Sequence, residues 1–219
     1  TAGIYPGMTV TGTNIVGGAF VKSVDAATNT VVMSVPATGT AAAGTYAFGA
    51  SNVILNSILQ DVGVGSPLTY VKAGPGIQVL TGANTYTGGT IVNSGDLHVN
   101  PTGATTVVIP AGGIVLNGGW GGQNMAAIYV NASGAVAASN AVTINGSGRF
   151  AFAQDTVNEL ASVTFNNRGG EFGGAQLSFL NVGVNSLLTL SGATPFTATS
   201  NNPFIVSEVA NGRVILTSG

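Results

Sequence analysis

Short runs in which apolar and polar residues alternate recur along the chain, and most runs end at Gly, Asn or Pro. Met8–Thr11, Phe20–Val24 and Val31–Val35 are examples near the beginning. Because successive side chains of a strand point to opposite faces, this period of two predicts strands of about five residues. Apolar residues three and four apart occur only at 52–62 (NVILNSILQDV), where they predict one short helix. The sequence therefore predicts an all-β protein with at most one helix.

From residue 74 onward, glycines that precede short β-runs return at intervals of 14 to 21 residues; they are Gly76, Gly95, Gly113, Gly134 and Gly148. Periods of about 20 residues with turn residues between strands are typical of solenoids, whose coils cannot bury an apolar face without neighbours. Asn-Gly and Gly-Gly pairs supply corner residues that tolerate a positive φ angle. Asn side chains stacked at equivalent corners would form ladders. We predict a right-handed parallel β-helix over residues 74–219.

The first 50 residues carry a different pattern of four short strands joined by turns. They predict a small antiparallel hairpin or sandwich module over 1–50, followed by a connecting segment over 51–73 that contains the helical pattern. The end of a solenoid exposes unpaired strand edges, which such a module would cover. The predicted order is therefore a β-module, a connection and a β-helix.

Composition narrows the classes of function. Only 5% of the 219 residues are charged, against about 25% in ordinary soluble domains, so the surface must be polar but neutral. The net charge of -2 gives no basic surface for nucleic acid, which is not an expected partner. The chain has no cysteine, which excludes disulfides and thiolate metal sites. It has no apolar run long enough for a membrane-spanning helix.

One charged cluster is the best candidate for chemistry. Asp155 and Glu159 are followed by Arg168 and Glu171. Because β-helices also carry polysaccharide lyases and hydrolases, and glycoside hydrolysis needs two carboxylates on one face, these residues define an enzymatic alternative. We favour the interpretation that they are solvated charges on a loop, and we predict no catalytic residue and no cofactor site.

The single histidine, His98, alternates with the apolar residues Leu97 and Val99, so we expect it on the outer face of a strand. With no second His and no Cys, we predict no metal site. Trp120 lies among four glycines and is a candidate contact for a glycan, whereas most other rings are expected at strand ends or in the core. The rings expected in the core are those of Phe150, Phe152, Phe165, Phe172 and Phe179. Thr-x-Thr strands suggest ice binding, but their register is irregular.

Residues 80–99 (LTGANTYTGGTIVNSGDLHV) resemble the autotransporter-associated β-strand repeat, with Asp96 and His98 at positions where Thr and polar residues are usual. Residues 109–219 are similar, more loosely, to the β-helical passenger that flanks this repeat. The resemblance implies a right-handed parallel β-helix exported through or onto the outer membrane, in adhesins or large surface proteins. It implies no catalytic residues.

These observations predict an extracellular structural protein of the bacterial cell surface that is not an enzyme. It would assemble into a filament or surface layer, or serve as an autotransporter-like passenger scaffold. The last β-run, Val214–Thr217, has no polar cap, so we expect another chain or a continuation of this one to cover it. The expected partner is a second copy, bound through the solenoid ends and the N-terminal module. The alternatives are a monomeric adhesin that binds a glycan or host surface and, less favoured, a polysaccharide lyase or hydrolase.

Overall fold

The structure is a computed structural model that divides into two units, Thr1–Val53 and Ile54–Gly219. The residues that it describes are 4, 8–16, 19, 21–25, 27–39, 46–49, 52–55, 57–63, 65–103, 106–118, 126–167, 176–200 and 205–217.

The N-terminal unit contains the four predicted strands, β1 Thr9–Gly12, β2 Val21–Asp25, β3 Thr30–Met33 and β4 Tyr46–Gly49. β1 pairs with β4 and β2 pairs with β3, both antiparallel. The Asp25 carboxylate accepts hydrogen bonds from the backbone N–H groups of Ala27 and Thr28 and so fixes the β2–β3 turn. The prediction of antiparallel strands in this segment is confirmed.

The rest of the described chain contains sixteen strands and no helix. In chain order they are β5 Asn52–Leu55, β6 Tyr70–Lys72, β7 Ile77–Leu80, β8 Thr90–Val92, β9 Gly95–Val99, β10 Ile114–Gly118, β11 Ala126–Val130, β12 Ala141–Gly146, β13 Arg149–Phe152, β14 Val157–Leu160, β15 Ser162–Asn167, β16 Gln176–Asn181, β17 Leu187–Leu190, β18 Phe196–Ser200, β19 Ile205–Ala210 and β20 Arg213–Leu216.

These strands form three sheets. The first has the order β18-β15-β12-β10-β8-β6, the second β19-β16-β13-β11-β9-β7-β5 and the third β14-β17-β20. The registered pairs in all three sheets are parallel, and successive strands of the chain move from one sheet to the next. This arrangement is a parallel β-helix, as predicted. The described residues contain no helix with the length and apolar character needed to cross a membrane.

Apolar residues of successive turns align in columns inside the helix. In the first sheet Leu116, Ile144 and Phe165 lie in register, and all three are buried. Phe150 and Phe152 of β13 are buried in the second sheet, where their rings meet edge to face. Parallel sheets depend on this continuous interior, since one turn alone would leave its apolar face in water. Of the other two rings expected in the core, Phe172 lies outside the described residues and Phe179 lies in β16.

The prediction of a short helix at 52–62 is wrong. Strand β5 occupies its first part, and the described residues from 57 to 62 are irregular. The backbone bonds to the next turn of the β-helix: the N–H of Thr81 donates to the Leu55 carbonyl, and the N–H of Leu59 donates to the Asn84 side chain. These long-range bonds replace those that a helix would make internally. Both β5 and β6 lie in the segment expected to be a connection.

The glycine interval of 14 to 21 residues is not the length of one turn. Gly95 and Gly148 precede or begin strands of the second sheet, whereas Gly113 precedes a strand of the first. Side chains stacked on successive turns are 21 to 31 residues apart. The glycines therefore lie at corners of different sheets. The sequence analysis treated them as equivalent positions of one repeat, and that interpretation is wrong.

Candidate functional surfaces

The segment that resembles the autotransporter-associated repeat forms the first turns of the β-helix. Tyr86 is fully buried, its hydroxyl lies 2.7 Å from that of Thr90, and its ring stacks on that of Tyr70 at 6.2 Å between centres. Burial raises the pKa of Tyr86 to about 12 and also raises the pKa of Tyr70. Within the described structure, the buried Tyr70 hydroxyl has no hydrogen-bond partner. The two rings fill the interior where the strands are short.

Asn84 connects three turns of the β-helix from a buried position. Its Oδ1 accepts from the N–H of Leu59 at 2.8 Å, and its Nδ2 donates to the Val108 carbonyl at 2.7 Å. The two partners lie 25 and 24 residues away. A buried amide satisfied on both sides fixes the register of neighbouring turns, because a slip would leave polar atoms unpaired.

Gly89 and Gly95 form the corners of the repeat. Gly89 has a φ angle of 85°, and a Cβ there would lie 2.5 Å from the Gly112 carbonyl oxygen. Gly95 has a φ angle of 69°, and a Cβ there would overlap the Gly74 carbonyl. A side chain at either position would be both strained and blocked by the adjacent turn. The repeat therefore needs glycine at these corners.

Lys72 is buried beside one of these corners. Its Nζ donates to the carbonyls of Ala73, Gly74 and Ser94 at 3.3, 2.6 and 2.9 Å, so the ammonium closes the corner from inside. Burial lowers the pKa of Lys72 below its ordinary 10.5, and the nearby Asp96 carboxylate opposes this change. These three hydrogen bonds go to backbone carbonyls and to no nucleophilic side chain, so Lys72 has a structural role at this corner.

Asn side chains form a ladder at one corner of the first sheet, as the corner residues predict. The Nδ2 of Asn117 donates to the Oδ1 of Asn93 at 2.8 Å, Asn145 donates to Asn117 at 2.8 Å, and Asn166 donates to Asn145 at 2.9 Å. Shorter ladders join Asn131 to Asn100 and Asn211 to Asn181. Amide ladders of this kind add hydrogen bonds parallel to the axis along which the strands stack.

A second surface combines His98, Tyr129 and Arg149 on the outer face of the second sheet. The His98 and Tyr129 rings, paired across β9 and β11, have centres 4.9 Å apart. The guanidinium carbon of Arg149 lies 5.3 Å from the centre of the Tyr129 ring, a cation–π distance. Burial raises the pKa of Tyr129, Arg149 lowers it and Asp96 raises it.

Sequence reasoning placed His98 on the outer face, which is confirmed, because Leu97 and Val99 are buried and His98 is half-buried. It did not group His98 with Tyr129 and Arg149. His98 and Tyr129 lie far apart in sequence, and the length of the intervening turn decides which side chains become neighbours. The alternation within a strand predicts the direction of its own side chains, as at His98, but not which side chains of different strands meet.

The charged cluster is only partly described. Asp155 and Glu159 are both exposed, and the Asn185 side chain donates to the Asp155 carboxylate at 3.1 Å. Glu159 borders a surface groove of about 340 Å³ with apolar neighbours that include Val107, Val136 and Val157. Arg168, Glu171 and the candidate glycan contact Trp120 lie outside the described residues. Among the described residues, no three acidic or histidine side chains are close enough to hold a metal ion.

Comparison with known proteins found similarity in one segment. Residues 71–99 match the family model of the passenger-associated-transport-repeat, which confirms the resemblance noted at Leu80–Val99. The match begins inside β6, directly after Tyr70, and ends with β9, so it includes Tyr86, Asn84 and both glycine corners. No curated protein and no solved structure matches the chain. The matched segment is a repeat associated with the transport of passengers, and it covers 29 of the 219 residues.

Proposed function

We propose that the chain is a structural scaffold of the bacterial cell surface whose β-helix associates end to end through the turn formed by β18, β19 and β20. The repeat match supports a passenger-type role. The observation that carries the end-to-end contact is the exposure of β18, β19 and β20, each of which has one neighbouring strand among the described residues.

All three sheets show this change in exposure along their core columns. In the first sheet Val163 is 0% exposed and the next residue of its column, Phe196, is 37% exposed. In the second, exposure rises from 0% at Leu180 to 42% at Val209. In the third, it rises from 0% at Leu190 to 56% at Leu216.

A second copy is the proposed cover for these residues. Unpaired parallel strands with exposed apolar side chains are templates for another strand, and another turn would extend both the backbone hydrogen bonds and the core. The partner element is either the first turn or the N-terminal module of the next copy. Repetition of this contact gives a filament, and lateral contacts between filaments give a layer.

Sedimentation velocity and negative-stain electron microscopy over a concentration series test the contact. We expect the wild-type chain to form end-to-end oligomers. Val209→Lys and Leu216→Lys place a charge in two exposed core columns and should abolish the oligomers, because a buried unpaired ammonium is costly. Ile215→Lys is the matched control, since Ile215 is also exposed but lies between the core columns of β20.

A wild-type chain that stays monomeric at the highest concentration would overturn the end-to-end contact. So would equal assembly by all three lysine variants. Circular dichroism of each variant confirms that the β-helix is intact.

The surface formed by His98, Tyr129 and Arg149 favours one alternative, a monomeric adhesin that binds a glycan or host surface. Adjacent rings with a neighbouring guanidinium are groups that contact sugars and their acidic substituents. A glycan-array experiment with monomeric protein tests it: binding that is lost in Tyr129→Ala supports an adhesin. Equal binding by Tyr129→Ala would contradict a role for this surface.

We also propose that Asp155 and Glu159 have no catalytic role. The Asn185 contact fixes the Asp155 carboxylate at a turn, where a structural function accounts for it. Incubation with acidic and neutral polysaccharides should give no turnover. Cleavage that disappears in Asp155→Ala or Glu159→Ala would establish the enzymatic alternative instead.

A further inference from the structure

The outer face of the first sheet carries two parallel rows of uncharged side chains, which we name the amide face. One row is the ladder of Asn93, Asn117, Asn145 and Asn166. The other lies two residues earlier on the same strands and contains β-branched residues only: Ile91, Val115, Thr143, Thr164 and Thr197. Each turn therefore has the same three consecutive residues: an outward β-branched residue, an inward core residue and an outward Asn. In β18 Thr199 takes the position of the Asn.

The amide face is regular in a way that the sequence alone obscures. The turns that supply its ladder differ in length, with 24, 28 and 21 residues between consecutive asparagines. The register nevertheless aligns all of them, so the irregular Thr spacing in the sequence becomes an ordered row in the fold. Adjacent parallel strands lie about 4.8 Å apart, which sets the repeat of both rows.

The ladder leaves self-complementary groups facing outward. Each internal Asn uses one N–H for the preceding Asn and one acceptor site of its Oδ1 for the following Asn. Among the residues that the structure describes, the second N–H of each amide and the remaining acceptor capacity have no other side-chain partner and can make contacts beyond the ladder. A row of alternating donors and acceptors therefore runs along the face, beside a row of methyl groups.

We propose that the amide face binds the amide face of a second copy. Two copies have the same rung spacing, so their rows stay in register over all turns, whereas a ligand with a different repeat loses register with each turn. Neither row contains a charged residue, so no like charges oppose each other. Asn ladders and β-branched side chains are the groups that form dry contacts between paired sheets. Neither row contains an aromatic ring, which disfavours a sugar as the occupant.

This lateral contact is independent of the end-to-end contact proposed above. It uses the side of the β-helix and would be isologous, with the same patch on both copies related by a two-fold axis. The face spans five turns, and an interface of this size is small, so we expect weak and reversible pairing. Many copies aligned in an assembly would strengthen it through avidity.

Disulfide trapping tests the proposal directly because the natural chain has no cysteine. Thr143→Cys and Thr164→Cys, made separately in the full chain, place a thiol near the middle of the amide face. Thr189→Cys is the matched control, a half-buried threonine on the outer face of the third sheet. On mild oxidation, at least one amide-face variant should dimerise about tenfold faster than the control, since pairing raises the effective thiol concentration.

Equal rates for both amide-face variants and the control would overturn the proposal. Sedimentation supplies a second readout without cysteine: Thr143→Lys should reduce dimer formation by the full chain, and Thr189→Lys should leave it unchanged. Filaments without amide-face trapping would contradict only the lateral contact. Trapped dimers of the amide-face variants, when the wild-type chain forms no filament at any concentration, would contradict only the end-to-end contact.

Discussion

At the scale of single residues, a few polar groups inside the β-helix decide its register. Asn84 and Lys72 place amide and ammonium groups among backbone carbonyls of neighbouring turns. Their hydrogen bonds compensate the cost of removing polar groups from water. Tyr70 lacks such compensation, since its hydroxyl is buried without a hydrogen-bond partner in the described structure.

Two Tyr→Phe substitutions should therefore change stability in opposite directions. Tyr70→Phe removes an unsatisfied buried hydroxyl, and we expect the free energy of unfolding to rise by about 1–3 kcal/mol. Tyr86→Phe removes the hydrogen bond to Thr90, and we expect a loss of about 1 kcal/mol. Urea denaturation measures both changes. If both substitutions changed the free energy of unfolding in the same direction, ring packing rather than the hydroxyl would determine the stability at both positions.

Asp61 should make stability depend on pH in the acid range. Its carboxylate accepts from the Thr87 hydroxyl at 2.6 Å and from the N–H of Leu68 at 2.7 Å, and these bonds lower its pKa below the ordinary 3.8. A carboxylate with a lower pKa in the folded state stabilises the fold above the unfolded-state pKa. This contribution is lost as the pH falls below about 4 and through the folded-state value.

Denaturation at several pH values checks this sign. Asp61→Asn should be less stable than wild type at neutral pH and should lose less stability between pH 5 and 2. Thr87→Val removes the main cause of the lowered pKa and should also flatten the acid dependence. Acid curves that are parallel for all three proteins would contradict the role of Asp61.

At the scale of elements, strands are joined by side-chain ladders as well as by the backbone. Asn145 takes part in two hydrogen bonds of the ladder, and Asn93 takes part in one. The core columns alternate with these outward positions along the same strands, so both the interior and the ladder depend on one register.

Ladder energies should follow the number of bonds removed. At about 0.5–1.5 kcal/mol per hydrogen bond, Asn145→Ala should cost about twice as much stability as Asn93→Ala. Thermal unfolding followed by circular dichroism measures the difference. Similar costs at the two positions would mean that the ladder bonds exchange with water at no net change in free energy.

The strands and their inward and outward faces could be predicted from the sequence because both follow from a period of two within a few residues. Leu97, His98 and Val99 show this, since all three face the predicted directions. The surface shared by His98, Tyr129 and Arg149 could not be predicted, because it depends on the residues in each corner. The false helix at 52–62 arose because local spacing ignores the hydrogen bonds that the next turn supplies.

At the scale of the whole molecule, each described unit derives its stability from a different source. In the described part of the N-terminal unit, two antiparallel pairs carry few buried apolar residues, namely Val10, Ala19 and Val21. The second unit buries a continuous column of Val, Ile, Leu and Phe. We expect them to unfold in separate transitions, the N-terminal unit first, since sparse burial gives low local stability. Hydrogen exchange that protects both units equally would contradict this.

The unequal lengths of the turns have a consequence for how such a protein can vary. Asn117 and Asn145 are 28 residues apart and Asn145 and Asn166 are 21 apart, yet β10, β12 and β15 pair in one continuous register. Extra residues are absorbed between strands and leave the ladder unchanged. Peptides of different length could thus be grafted at the corners and displayed along one side of the β-helix, each at a height set by the turn that carries it.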